Sequence, residues 1–262
     1  MSDSKAILSA RLVGLLDASD PSHADFWPEQ AVEFGIGLAI STYIRQTSDS
    51  APTDRSTPDV LFEGIHADDA VALAEWFRKA GFGVALNVAP GRQHSDLRWV
   101  AAHRTGIPIA LALLLVEGAR RCGLRAYGLN YPGHFLVEVD GVILDPVSLN
   151  RLEPEQLNAD VPQATPRMIA LRMMNNLKAL ALNAHDLVEA LNLVDVQMAI
   201  AEDRVSTSTL HYERGELWQR LGAYQMAREA FLACASISPI ADLSQRAEER
   251  ARALDERTDT LH

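Results

Sequence analysis

The chain has 262 residues, 48% of them hydrophobic, enough to bury the core of one large domain or two smaller ones. Its 24 Lys and Arg against 35 Asp and Glu give a formal charge of -11, which repels nucleic-acid backbones and anionic lipid surfaces and argues against both as partners. Cys122 and Cys234 are the only cysteines, with no CxxC and no Cys/His cluster at zinc spacing, so neither a disulfide framework nor a structural metal is indicated.

The opening stretch, MSDSKAILSARLVGLLDASD, has a lone Lys5 and no long apolar core, and so predicts an amphipathic helix rather than a signal peptide. Apolar residues recur at helical spacing over residues 7–16 and 34–44, separated by the turn-rich DASDPSHADFWP. Residues 47–59, TSDSAPTDRSTPD, offer almost nothing to bury and read as a loop or linker. A further helix is expected over about 67–79, with Val71, Ala74, Trp76 and Phe77 towards a core and Gly81 and Gly83 stopping it.

Residues 104–146 carry the strongest signals. Pro108 suits the first turn of a helix and Gly123 the position just past its end. Between them, IALALLLVEGARRC is apolar nearly all round, so the helix is expected to be buried centrally, with Gly118 and Ala119 admitting a close backbone neighbour. The longest apolar run, 107–116, is too short to span a bilayer, and a cytoplasmic protein with reduced, mostly buried thiols is expected. RAYGLN and HFLVEV are short strand candidates, and Asp140-Gly141 is a hairpin turn signal. A two-residue loop there would pair Val139 with Val142, Leu136 with Asp145 and His134 with Val147. His134, Leu136 and Asp145 would then share a face, with the His134 imidazole and the Asp145 carboxylate in hydrogen-bond reach as diagonal neighbours.

From about residue 168 to 254 the pattern is helical throughout. Gly215, Trp218, Gly222, Tyr224, Ala227, Phe231 and Pro239 fall at the spacing of a tetratricopeptide helix pair, and Leu187, Ala190 and Val194 suggest a weaker earlier copy. Trp218, Tyr224 and Phe231 read first as repeat core, with a groove for a partner peptide nearby. The charged end, QRAEERARALDERTDTLH, reads as a solvated capping helix.

The order G-x-x, buried helix, short strand, H-F-L-V-E-V, turn and L-D-P resembles the transglutaminase-like core of the papain-type superfamily. That resemblance implies a Cys opening the helix, a His that takes its proton and a carboxylate that orients the His. His134 matches the family His and Asp145 the family Asp, while the Cys position falls on Pro108, which has no nucleophilic atom and no backbone N–H. The chain is more closely similar to the bacterial SirB-type family, through TGIPIAL at 105–111 and YPGHFLVEV at 131–139, whose members carry tetratricopeptide-like repeats after the core. The similarity covers roughly residues 60–240, and GFGVALNVAPGRQHSDLRWVAAH matches it only loosely.

The expected fold is α+β: a helical N-terminal part and a transglutaminase-like core, a buried helix packed on a small antiparallel sheet, over residues 1–160 (core about 96–150). An all-α tetratricopeptide-like module follows over 161–262. The resemblance implies a non-catalytic interaction or regulatory protein that docks a protein or peptide partner through residues 165–262, with no cofactor. The competing reading is a hydrolase or acyl-transfer enzyme acting on amides or peptides through His134 and Asp145 without the usual Cys. The plainer reading of that pair is a structural contact that pins the hairpin. Cys122 cannot replace the missing thiol, since fourteen residues of helix place it roughly 21 Å from Pro108. Thr105 reads as a helix cap and Ser148 as a turn residue. His94 and His103 show no ligand spacing with each other or with His134 and Asp145, so no metal is expected.

Overall fold

The computed structural model describes residues 2–18, 32–47, 58–83, 89–153, 155, 157 and 161–259. Apart from its ends, the expected linker over 47–59 lies outside them. In chain order come α1 (Ser2–Ala18), α2 (Val32–Gln46), α3 (Ala70–Lys79), α4 (Leu97–His103) and α5 (Pro108–Arg121). The strands β1 (Ala126–Leu129), β2 (Leu136–Val139), β3 (Val142–Leu144) and β4 (Arg151–Leu152) follow. The chain ends in α6 (Pro166–Asn183), α7 (Leu187–Ile200), α8 (Arg204–Arg220), α9 (Tyr224–Ile237) and α10 (Ala241–Asp259). It divides into two compact units, Met1–Met173 and Met174–His262, the division falling inside α6.

In the first unit α5 is the centre. Pro108 is its first helical residue, where a missing N–H costs nothing, and Gly123 takes φ 78° just past its end. The cap position is Ile107, with no side-chain hydrogen bond, so Thr105 does not cap this helix. Every residue from Ile109 to Ala119 is buried, including Glu117, whose carboxylate is held by Arg120 and Arg121 at 2.8–2.9 Å. α5 packs against α2, α3 and α4 and against β1 and β2. Gly118 admits a close neighbour, but it is a side chain and not a backbone: a Cβ there would stand 2.9 Å from the Phe77 ring.

α3 begins where the Asp69 carboxylate caps Ala72 N–H, and Gly81 at φ 95° ends the segment. Leu73, Ala74 and Phe77 are its core residues, while Val71 is exposed because it lies on the opposite side of the helix.

The four strands form one antiparallel sheet in sequential order. Val139 pairs with Val142 around Asp140 and Gly141, whose φ values of 47° and 84° are those of a two-residue type I′ turn. The β2–β3 ladder ends at Val137 and Leu144, so the expected pairs Leu136–Asp145 and His134–Val147 do not form. The reason is local. Asp145 N–H donates to the Asn150 carbonyl, and its carboxylate folds back onto Val147 N–H, which turns the chain into β4.

The second unit is all helical. α7 and α9 have equal lengths of 14 residues and bury corresponding positions, Ala190 with Ala227 and Val194 with Phe231. His185 at φ 58° stands before α7 where Gly222 at φ 79° stands before α9. Gly215 lets α8 and α9 approach closely, since a Cβ there would be 2.7 Å from the Phe231 ring. α10 lays Leu243, Ala247, Ala251 and Leu254 on the core cluster of Phe231, and its Arg246–Asp242 and Arg252–Glu248 pairs face water.

Candidate functional site

Pro108 is exposed at the head of α5. The backbone leading into it is anchored by Ile107 N–H, which donates to the His94 carbonyl at 3.0 Å. The β1–β2 connection is a tight turn: His134 N–H donates to the Tyr131 carbonyl at 3.0 Å, with Gly133 at φ 77° between them. The His134 side chain is exposed, its ring 6.2 Å from that of Tyr131. Below it, the Phe135 ring lies across Gly128, where a Cβ would come within 2.5 Å of the ring.

Arg172 of α6 fastens this turn. Its Nη2 donates to the His134 carbonyl at 2.7 Å, its Nη1 donates to the Asn130 side chain, and its guanidinium lies 5.5 Å over the Phe135 ring. Sequence reasoning does not single out Arg172, because nothing in the helical pattern of α6 distinguishes it from a surface arginine.

Asp145 accepts from the N–H groups of Val147 at 2.8 Å and Ser148 at 3.5 Å. No hydrogen bond joins it to His134 among the described residues. The expected imidazole–carboxylate contact is therefore not made, because the carboxylate is spent on its own turn. Ser148 also belongs to that turn, its hydroxyl accepting from Asn150 N–H at 3.3 Å.

Neither thiol sits where a thiolate is favoured. Burial pushes the Cys122 thiol up, against a smaller downward pull from an Ala67 backbone hydrogen bond, and Asp68 adds to the rise. Cys234, fully buried in α9, is likewise pushed up by burial, with Arg246 opposing. His94 is buried, its Nδ1 accepting from Gly91 N–H at 2.8 Å, and both His94 and His103 pack on Trp99, at 4.9 and 4.1 Å between rings. Among the described residues no group of three or more His, Cys, Asp or Glu is arranged to hold a metal ion.

In the second unit Phe231 is fully buried and Trp218 half-buried between two core clusters, but Tyr224 is 37% exposed. Tyr224 is the first residue of α9, directly after the turn, and belongs to neither core cluster, so it is not a core residue. A groove of about 610 Å3 is lined by Lys178 and Leu182 of α6, Glu213, Leu217 and Arg220 of α8, and Arg250 of α10. None of the three aromatic residues lines it.

The model of the transglutaminase-like superfamily matches residues 43–181, which contain α3 to α5, the whole sheet and most of α6. The chain belongs to the transglutaminase-like superfamily. It is 31% identical over 132 residues to a UPF0162 protein of Xylella fastidiosa strain 9a5c, covering 42% of this chain and 47% of that one. It is 32% identical over 146 residues to a UPF0162 protein of Pseudomonas aeruginosa, covering 49% and 53%. The similarity thus spans about half the length of these relatives. No solved structure matches the chain significantly. Among the described residues no single helix is long and apolar enough to cross a membrane.

Proposed function

We propose that this is a transglutaminase-like scaffold of SirB type that has lost the family's thiol chemistry and acts in the cytoplasm as a protein-interaction or regulatory module. The observation that carries the reading is Pro108 at the first helical position of α5, where the resemblance requires a cysteine. A proline there supplies no nucleophile and no N–H for a developing oxyanion. The elevated pKa of both cysteines and the engagement of Asp145 with its own turn agree with that loss.

The binding role falls to the helices after the core, read as tetratricopeptide-like pairs. Their support is the correspondence of α7 with α9 and the groove that α6, α8 and α10 line, which suits an extended or helical peptide.

The test is the rate at which Cys122 and Cys234 are alkylated at neutral pH, read by mass spectrometry, in the wild type and in His134→Ala. Slow labelling of both, unchanged in the variant, is the expected result. A fast-labelling cysteine slowed by His134→Ala would return a thiol enzyme to the front.

A further inference from the structure

At the far end of α5 from Pro108, the first unit holds a second concavity, about 350 Å3 in volume. It lies between the start of α2, the last turns of α5, and the paired strands β1 and β2 with their neighbouring turn. Twelve residues of helix separate Pro108 from Arg120, roughly 18 Å along the axis, so the cavity is distinct from the His134 end. Its volume is at the lower end of small-ligand sites.

The lining is apolar on one part and charged on the rest. Val116, Leu124 and Ala126 supply the apolar wall, with Tyr127 beside them. Five charged side chains also line it, and their pairing is unequal. Arg120 is committed through Nε and Nη2 to Glu117, which does not line the cavity. Arg125 pairs with Asp140 at 3.6 Å. Two carboxylates remain. Glu138, opposite Tyr127 in the β1–β2 register, is hydrogen-bonded by the Tyr127 hydroxyl, which supplies a proton donor but no positive charge. Glu33, in the first turn of α2, is hydrogen-bonded by its own backbone N–H and by no other group among the described residues.

We propose that this cavity binds a primary ammonium on a short aliphatic stem, the ammonium between Glu33 and Glu138 and the methylenes against Val116 and Leu124. Two carboxylates facing one partly desolvated space whose lining guanidiniums are both paired elsewhere are costly, and a compact cation with three donors offsets that cost by bonding both. The aliphatic wall suits an alkyl stem, which an inorganic cation lacks. Burial, with Glu117 adding to it and its own backbone N–H opposing, holds the Glu33 carboxyl above the usual range. The same chemistry is presented by a free alkylamine and by the lysine side chain of a protein. The proposal does not depend on the loss of thiol chemistry at Pro108.

The experiment is a titration of the full chain with n-pentylamine at neutral pH, followed by amide NMR shifts at Tyr127 and Gly141, with 1-pentanol as the uncharged counterpart. Saturable shifts with the amine and none with the alcohol are expected. Glu138→Gln and Glu33→Gln should each weaken the amine about tenfold, the scale of one lost charged hydrogen bond. Glu248→Gln, on the exposed face of α10, should leave it unchanged. Both cavity substitutions keep the side-chain shape, and retention of the wild-type spectrum elsewhere verifies the fold. A doubly blocked lysine that binds as well as the amine assigns the source to a protein side chain, and preference for the free amine assigns it to a small molecule; either supports the site. No saturable shift, equal shifts with the alcohol, or full affinity in both cavity variants would overturn it.

Discussion

Arg172 Nη2 donates to the His134 carbonyl at 2.7 Å, so the turn that presents the exposed imidazole is held from α6 and not by Asp145. Removing that guanidinium leaves the His134 carbonyl and the Asn130 side chain without their charged donor. Arg172→Ala is expected to loosen the turn by about 1.5–3 kcal/mol, read as faster amide exchange at His134, whose N–H closes the turn onto Tyr131. Arg172→Lys should restore little of the protection, because an ammonium lacks the planar fork that serves two acceptors and lies over Phe135. Wild-type exchange in Arg172→Ala would show that the turn holds itself.

Glu33 gives a pH dependence with a definite sign. Its folded pKa is raised above the unfolded value, so the fold favours the protonated form. That contribution is fully present below the unfolded pKa and is lost as pH rises through the folded one. Glu33→Gln, which stays neutral, should therefore raise Tm at about pH 7.5 and leave it nearly unchanged at about pH 4. A lower Tm at the higher pH would mean that Glu33 has a stabilising cationic partner, which would also undo the charge argument for the cavity.

Gly215 sets two effects against each other. In a helix interior, Gly→Ala gains roughly 1 kcal/mol from backbone entropy. Here the new Cβ would stand 2.7 Å from the ring of Phe231, which is fully buried and has little room to retreat. Overpacking of this kind costs about 1–3 kcal/mol, so Gly215→Ala is expected to destabilise the second unit on balance, measured by urea denaturation followed through tryptophan fluorescence. A gain in stability would show that α8 and α9 separate easily.

What is legible in the sequence is what the backbone decides locally. Pro108 and Gly123 bracket α5 because one lacks an N–H and the other tolerates positive φ, and Asp140-Gly141 makes its turn for the same class of reason. Bringing His134 diagonally beside Asp145 extends the strand register three residue pairs past its last one, Val137 with Leu144. Asp145 has its own backbone partners within the next five residues, and these take precedence over a contact across the sheet. The repeat spacing puts Tyr224 in the core, but its place at the head of α9 leaves it uncovered. Arg172, and the sharing of one cavity by Glu33 and Glu138, are invisible in the sequence, since each depends on how distant elements pack and none belongs to a motif.

Because the I′ turn at Asp140 and Gly141 needs positive φ at both residues, substitutions there should separate by residue type. Asn tolerates the left-handed region, so Asp140→Asn is expected to be close to neutral, losing only the exposed pair with Arg125 at 3.6 Å. Gly141, at φ 84°, meets nothing within 4 Å where a Cβ would be, so the cost of Gly141→Val is conformational and not steric against a neighbour. About 1–2 kcal/mol is expected, measured by thermal denaturation. The two positions also test the cavity, which Asp140 and Gly141 both line. Asp140→Asn releases Arg125 from its partner and leaves that guanidinium to compete for Glu138. Amine affinity should therefore fall in Asp140→Asn while stability holds, and the same NMR titration reads it. Unchanged affinity would mean that Arg125, 90% exposed, stays in water when its partner is removed.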